Sequence, residues 1–428
     1  MHILDELHQR SLFHSSTDEA ALRAHLDGHA PVHFYVGFDP TSDSLHVGSL
    51  LPMITMARLQ RAGHRPIILV GGATGMIGDP SGKSAERQLL DEGVLGRNVS
   101  GIRDQLRAML DLEDPRVGAL VRNNADWLSG LSLVSFLRDV GKHFSVNAMI
   151  ARESVKMRLE NREQGISYTE FSYQLLQAYD FLHLFQNDGC TLQLGGSDQW
   201  GNITAGADLI RRLTGSTVHG LTVPLLTTSA GTKFGKTEAG TVWLDPSRTS
   251  PYHFYQFWLR TADDDVVKLL NYFTFVPLEE IAELAATHKE KPELRAAHTR
   301  LAEEMTRLVH GQEGLESALR GTRVFFGGDL REVRAEELAG IFADVPAFTL
   351  ESSVLGSALP LVDLCALSGF VKSKGVARRL LESGGVSLNQ EKVTDKDRVV
   401  SEGDFLFEKY LVLRSGKRNY HLIVLKRN

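Results

Sequence analysis

Two apolar runs joined by an amphipathic stretch constrain the fold of this chain more than any other feature. Residues 32–38 are rich in β-branched and aromatic side chains (Val32, Phe34, Tyr35, Val36, Phe38) and predict a buried strand. A small-residue turn follows over residues 39–44. Within residues 45–62, Leu50, Met53, Ile54, Ala57 and Leu59 recur at helical spacing, and Gly63 is a helix stop signal. Residues 66–70 (Pro66, Ile67, Ile68, Leu69, Val70) predict a second buried strand running into the small-residue turn 71–75. Strand, helix and strand in this order form a βαβ unit, which requires a parallel sheet and a right-handed crossover.

Ligands of parallel sheets sit at the carboxyl ends of the strands, and the segments 39–48 and 71–82 both lie at such ends. Residues 130–185 are predicted mostly helical. Within them Ser167, Tyr168, Thr169 and Glu170 form a capping-box sequence that starts a helix through Tyr173 and Phe181. Residues 190–194 predict another strand, ending in Gly195, Gly196, Ser197, Asp198 and Gln199. A helical region rich in Leu, Ala, Glu and Arg extends from 251 to about 345. Residues 346–359 carry Pro, Ser and Gly without a period and are expected to be a linker. A small basic unit follows, with a helix near 374–381 and short strands near 386–388 and 405–413. The expected organisation is an α/β body over residues 1–225 with a helical insertion at about 110–165. A lysine-bearing segment and helical region then fill 226–345, and a small α+β unit fills 360–428.

A chain of 428 residues is too long for one simple core, and 42% hydrophobic with 23% charged residues fits an ordinary globular protein. No apolar run reaches the length needed to cross a bilayer, and the amino terminus lacks a basic-then-apolar secretory pattern. Cys190 and Cys365, the only cysteines, are far apart in sequence, which argues against a disulfide framework and for a reducing compartment. A cytoplasmic location with no membrane partner is the expectation. From residue 360 onward there are 13 Lys and Arg against 8 Asp and Glu, a surplus of five; with a net charge of −6 overall, the remainder carries −11. Such a basic tail suits a polyanion partner, although a solvated basic face has the same composition.

Several residues carry candidate chemistry. His46 begins the helix that follows the first strand, where unpaired N–H groups and the helix dipole attract phosphate. Gly48, beside it, would let a nucleotide approach the backbone closely. By itself His46 is equally consistent with a satisfied structural residue. The segment from Gly78 to Ser84 resembles a phosphate-binding P-loop but is not one: Ile77 stands where the first glycine is needed, and Pro80 removes a backbone donor. Lys83 and Arg87 remain as phosphate contacts or as a solvated pair. On the helix after Ser167, the residues Tyr173, Gln177 and Asp180 fall on one face as a polar stripe among apolar neighbours, the pattern of a helix lining a polar pocket. Lys233, Phe234, Gly235, Lys236 and Thr237 place two lysines about a glycine, a loop able to close over a triphosphate.

At these residues the chain resembles the bacterial tyrosyl-tRNA synthetases, which are class I aminoacyl-tRNA synthetases. The similarity runs nearly end to end, through the segments 35–41, 70–75, 78–83, 169–173, 195–202 and 233–237, and ends in a unit similar to the S4 RNA-binding fold. One position departs from the family pattern: Ser49 stands where the first signature usually has a second histidine. The resemblance implies a Rossmann-like parallel-sheet catalytic domain, an α-helical domain and a small α+β S4-like domain. It implies that Tyr35 and Asp180 bracket the phenol hydroxyl of bound L-tyrosine, with Gln193 and Gln199 completing the pocket. Asp79, Tyr173 and Gln177 would hold the ammonium group. Gly37, Asp39, Pro40, Gly48, Ser49, Gly196 and Asp198 would line ATP. Thr41, His46, Lys83, Arg87, Lys233, Lys236 and Thr237 would act on the phosphates.

The implied reaction has two steps, formation of tyrosyl-adenylate with release of pyrophosphate and transfer of the tyrosyl group to the terminal ribose of tRNA(Tyr). ATP is a substrate, Mg2+ accompanies its triphosphate, and no dedicated protein metal site is expected. The family is homodimeric, with one tRNA lying across both subunits. The nearest rival is a tryptophan-activating enzyme on the same fold.

Overall fold

Burial on both faces dictates the central sheet. The computed structural model describes the chain except residues 29, 41, 82–91, 161–164, 228, 230–233, 238, 239, 326, 327, 344, 417, 418 and 428. For residues 92, 94, 95, 97, 99, 103, 153, 154, 157, 236, 237 and 357 it describes the backbone alone. Six strands, β1 (Ser15–Ser16), β2 (His33–Phe38), β3 (Arg65–Val70), β4 (Leu120–Asn123), β5 (Cys190–Gly196) and β6 (His219–Val223), form one sheet in the order β1-β6-β5-β2-β3-β4. All neighbours pair in parallel except the edge strand β1. Phe34, Ile67, Ile68, Val70, Leu192 and Leu221 are wholly buried, as a sheet covered on both sides requires. The expected helical insertion at about 110–165 therefore contains a strand: β4 is parallel to β3 at register Ile67–Leu120, a non-local pairing that local periodicity does not reveal.

The helix predicted over 45–62 is observed as Leu50–Arg61, entered through a single 3₁₀ turn, Val47–Ser49. The helix Tyr168–Asp188 starts at Ser167, whose side chain accepts from the Glu170 amide, and stops at Gly189. Only half of the predicted capping box forms. Glu170 does not reach back to Ser167; it is buried and takes both terminal nitrogens of the buried Arg158, at 2.9 and 2.8 Å. A buried guanidinium demands a carboxylate more strongly than an amide does.

Met1–Asp245 with Trp258–Val309 form one compact unit, and Pro246–Phe257 with His310–Asn428 form a second. The predicted helical region consists of Pro251–Leu259, Asp263–Phe273, Leu278–Glu290, Ala296–Phe325 and Ala335–Ile341, and it is divided between the two units. In the first unit a short hairpin, β7 (Lys236–Thr237) and β8 (Gly240–Thr241), contains the end of the two-lysine segment 233–237, the second of the two signature segments.

The second unit contains β9 (Ala347–Glu351), β10 (Leu359–Pro360), β11 (Val386–Leu388), β12 (Glu391–Val393), β13 (Val399–Val400), β14 (Tyr410–Ser415) and β15 (Asn419–Lys426). Five of them form a sheet in the order β12-β11-β14-β15-β9, while β10 pairs with β13. The expected linker is thus corrected. Residues 347–351 are a strand parallel to β15, and Leu350 is buried in the core beneath the helices Leu361–Leu367 and Lys374–Glu382. Side chains alternate across this sheet. Leu411 and Leu413 join Leu364, Cys365, Ala377 and Leu381 on one face. Tyr410 and Val412 join Val324, Leu338, Ile341 and Phe342 on the other.

Candidate active site

The connections from β2 and from β5 leave in opposite directions, toward β3 and toward β6, which makes the gap between their carboxyl ends the topological switch point. A cavity of about 510 Å³ opens there. Its walls include Tyr35, Gly37 and Asp39 from β2 and its end, Gln193 and Gly196 from β5, and Asp198 and Gln199 beyond it. The polar stripe Tyr173, Gln177 and Asp180 of the helix Tyr168–Asp188 faces the same space, as its spacing predicts.

The floor is built from buried polar groups. The Tyr35 hydroxyl and Gln193 Oε1 are buried without a hydrogen-bond partner among the described residues. Buried polar atoms are nearly always satisfied, so two orphans in one cavity mark a place where a polar ligand belongs. Asp180 is buried and accepts from Asn124 Nδ2 (3.0 Å) and Trp127 Nε1 (2.8 Å). Burial pushes the Asp180 carboxyl up to about 7, against the opposing effect of those two donors. Burial, with Asp180 nearby, also holds the Tyr35 phenol well above the ordinary range, so it is a neutral donor.

Two hydrogen-bonded chains rise from this floor. Asn124 also donates to Thr74 Oγ1 (2.9 Å), which donates to Asp39 Oδ1 (2.9 Å), whose other oxygen accepts from the Tyr173 hydroxyl (2.9 Å). On the other side, Asp79 accepts from the Ser81 amide (2.9 Å) and from Gln199 Nε2 (2.8 Å). Gln199 accepts from Gln177 (3.2 Å), and Asn202 Nδ2 donates to Gln177 Oε1 (2.9 Å). The result is a set of carboxylates and amides lining the cavity above the polar floor, an arrangement able to take an ammonium group at one end and a hydroxyl at the other.

The two signature segments meet at the mouth. The Val47 amide donates to Val242 O (3.0 Å), the Leu244 amide to Leu45 O (2.9 Å), and the Val242 amide to Gly235 O (3.2 Å), with a β-bridge between His46 and Trp243. Gly235 sits at φ 90°, and a Cβ there would lie 2.5 Å from Val47 Cγ2, so this contact needs glycine. His46 Nδ1 accepts from the Gly48 amide at 3.0 Å. An imidazole nitrogen that accepts carries no proton, which leaves the proton of the neutral ring on Nε2. The Gly48 N–H caps the His46 ring, and a Cβ at Gly48 would lie 2.7 Å from His46 Cε1, so the absence of a side chain there leaves room for the imidazole.

Residues 27–327 match the model of the family "tRNA synthetases class I (W and Y)", and residues 337–423 match that of the "Tyrosine--tRNA ligase SYY-like C-terminal domain". The chain is 52% identical to a tyrosine--tRNA ligase of Anaeromyxobacter dehalogenans over 99% of both chains. It is 50% identical to that of Geobacillus kaustophilus, again over 99% of both. It belongs to the tyrosine--tRNA ligases. Among solved structures, a C-terminally truncated mitochondrial tyrosyl-tRNA synthetase of Coccidioides posadasii is 33% identical, with TM-score 0.65, covering 74% of this chain and 91% of that one.

Against that family background, the cavity brings together Tyr35, Gly37, Asp39, His46, Ser49, Asp79, Tyr173, Gln177, Asp180, Gln193, Gly196, Asp198 and Gln199. Pro40 is buried behind the wall, where its carbonyl accepts from Asn98 (2.8 Å). Thr41, Lys83, Arg87 and Lys233 lie outside the described residues, and Lys236 and Thr237 are described by backbone alone. Sequence reasoning missed Thr74, Asn124, Trp127 and Asn202. Asn124 and Trp127 immediately follow β4, the strand hidden in the expected insertion, and recognising that strand would have placed them at a carboxyl end.

Proposed function

We propose that this chain activates L-tyrosine with ATP to tyrosyl-adenylate and passes the tyrosyl group to the 3′-terminal ribose of tRNA(Tyr). The observation that carries it is the unpartnered Tyr35 hydroxyl beside buried Asp180 at the floor of the cavity. A phenol hydroxyl placed between them accepts from Tyr35 and donates to Asp180. Phenylalanine leaves both unpaired, and discrimination of this kind, for which tyrosine activation is itself the reference example, needs no editing site.

In the first step a carboxylate oxygen of tyrosine attacks the α-phosphorus. A new P–O bond forms, the bond to the bridging oxygen breaks, and pyrophosphate leaves with the electron pair. Asp79, Tyr173 and Gln177 hold the ammonium group, while Gly37, Asp39, Gly196 and Asp198 line the nucleotide. His46 Nε2–H donates to the phosphates as charge moves onto them, with Thr41, Lys83, Arg87, Lys233 and Lys236 acting on the same charge. No side chain forms a covalent bond; catalysis is positioning and charge stabilisation. Mg2+ would accompany ATP as part of the substrate and offset charge on its triphosphate.

The basic segment from residue 360 onward takes the tRNA backbone. A second copy of the chain covers the apolar face of the helices Leu133–Asp139 and Val146–Ile150, where Leu133 (71% exposed), Val134 (75%), Leu137, Val146 and Ile150 lie open to solvent. A Leu133→Asp, Val134→Asp variant that still sediments as a dimer would exclude this face. Both cysteines are buried free thiols, in keeping with the cytoplasm, and no described helix is long and apolar enough to cross a membrane. The decisive assay is ATP–pyrophosphate exchange with purified protein. Exchange driven by tyrosine is expected; exchange driven by tryptophan, or none, refutes the proposal.

A further inference from the structure

One helix holds the Trp127 indole in two ways. Its Nε1–H donates to Asp180 Oδ1 at 2.8 Å, and its face is covered by the His183 ring, with centroids 4.2 Å apart and planes 13° apart. Asp180 and His183 are three residues apart on the helix Tyr168–Asp188, hence neighbours on its surface. Trp127 comes from the four-residue helix Ala125–Leu128, which has no side-chain cap and too few turns to be rigid alone. The hydrogen bond sets where the N–H points but leaves the ring able to swing about that direction. The stacked imidazole opposes the swing, together with the apolar cluster on which Trp127 also packs.

Trp127 and Asn124 occupy one oxygen each of Asp180, so the two donors together fix the plane of that carboxylate and the direction of its remaining lone pairs. We propose that His183 is a positioning residue for tyrosine recognition: by stacking on Trp127 it fixes the rotation of the Asp180 carboxylate. The inference rests on Asp180 being the partner of the phenol hydroxyl. Burial lowers the His183 imidazole from its ordinary range, so the stacked ring is neutral and acts as a flat aromatic surface. A phenyl ring should therefore replace it.

The test compares His183→Ala, His183→Phe and Asp180→Asn in the full chain, by pyrophosphate exchange with tyrosine and with phenylalanine. His183→Ala should lower kcat/KM for tyrosine about 3- to 10-fold, the size of one aromatic contact, mainly through KM. Phenylalanine should stay within about twofold, so the discrimination ratio falls, and His183→Phe should restore it. Equal losses for both amino acids, or an unchanged ratio in His183→Ala, overturn the inference. If Asp180→Asn changes the ratio and His183→Ala does not, only the role of His183 fails. If neither changes it, the role of Asp180 fails as well, and this inference with it. Thermal unfolding of each variant separates these outcomes from loss of fold.

Discussion

Asp180 sits where a carboxylate is hardest to ionise. Its carboxyl is raised to about 7 by burial, so between the ordinary carboxylate range and pH 7 the folded protein binds a proton that the unfolded chain does not. Stability from this group is therefore present at low pH and is lost as pH rises toward 7. In the proposed complex the phenol of tyrosine would reverse part of that cost, because an ionised Asp180 would accept from Asn124, Trp127 and the substrate, whereas the protonated form would present a donor to donors. The KM for tyrosine should rise as pH falls from 8 to 6, and saturating tyrosine should raise the melting temperature more at pH 8 than at pH 6. A pH-independent KM across that window would count against an ionised Asp180 in recognition. His46 makes a different kind of contribution. With Nδ1 tied to the Gly48 amide, its Nε2–H is left to donate, and the proposed mechanism assigns it to leaving-group charge and not to the amino acid. His46→Ala should slow adenylate formation about 100-fold, the usual effect of removing one preorganised donor, with tyrosine affinity within about twofold. Stopped-flow rates near the parent value would remove His46 from the reaction.

At the scale of elements, the strand-like pairing of residues 242–244 with 45–47 joins the two signatures. Its weak point is Gly235, where a side chain meets both a positive φ and Val47. Gly235→Ala should cost about 1–3 kcal/mol locally and lower the exchange rate while leaving tyrosine binding, measured at equilibrium, unchanged. Full exchange activity in that variant would mean that the docking seen here is not required. The polar stripe on the helix Tyr168–Asp188 was legible because its period of 3.6 is local. The strands β4 and β9 were not, because each is short and pairs with a partner distant in sequence. Leu350 counts as core only once the helices Leu361–Leu367 and Lys374–Glu382 lie over it.

For the whole molecule, part of the positive charge after residue 360 lies on one exposed helix face. The helix Lys374–Glu382 buries Ala377 and Leu381 and leaves Arg378 and Arg379 exposed. A double substitution of these arginines by alanine should reduce kcat/KM for tRNA several-fold, flatten its dependence on salt, and leave pyrophosphate exchange untouched. An unchanged salt slope would place the tRNA elsewhere. Substitution is a cleaner test than truncation at residue 350, because Val324, Leu338, Ile341 and Phe342 share a core with Tyr410, Val412, Tyr420 and Leu422. Removing the sheet would expose that core and confound activity with stability.

Local patterns determined the parallel-sheet architecture, the helix stripe facing the site and the family resemblance, because apolar periodicity and short backbone turns are encoded by neighbours in the chain. Only the tertiary structure decided which donors seat Asp180, that the Gly48 amide belongs to His46, and that a period-free segment becomes a strand. Each of those depends on groups brought together from distant parts of the chain, and burial, which sets both their pairing and their protonation, exists only after the chain has folded.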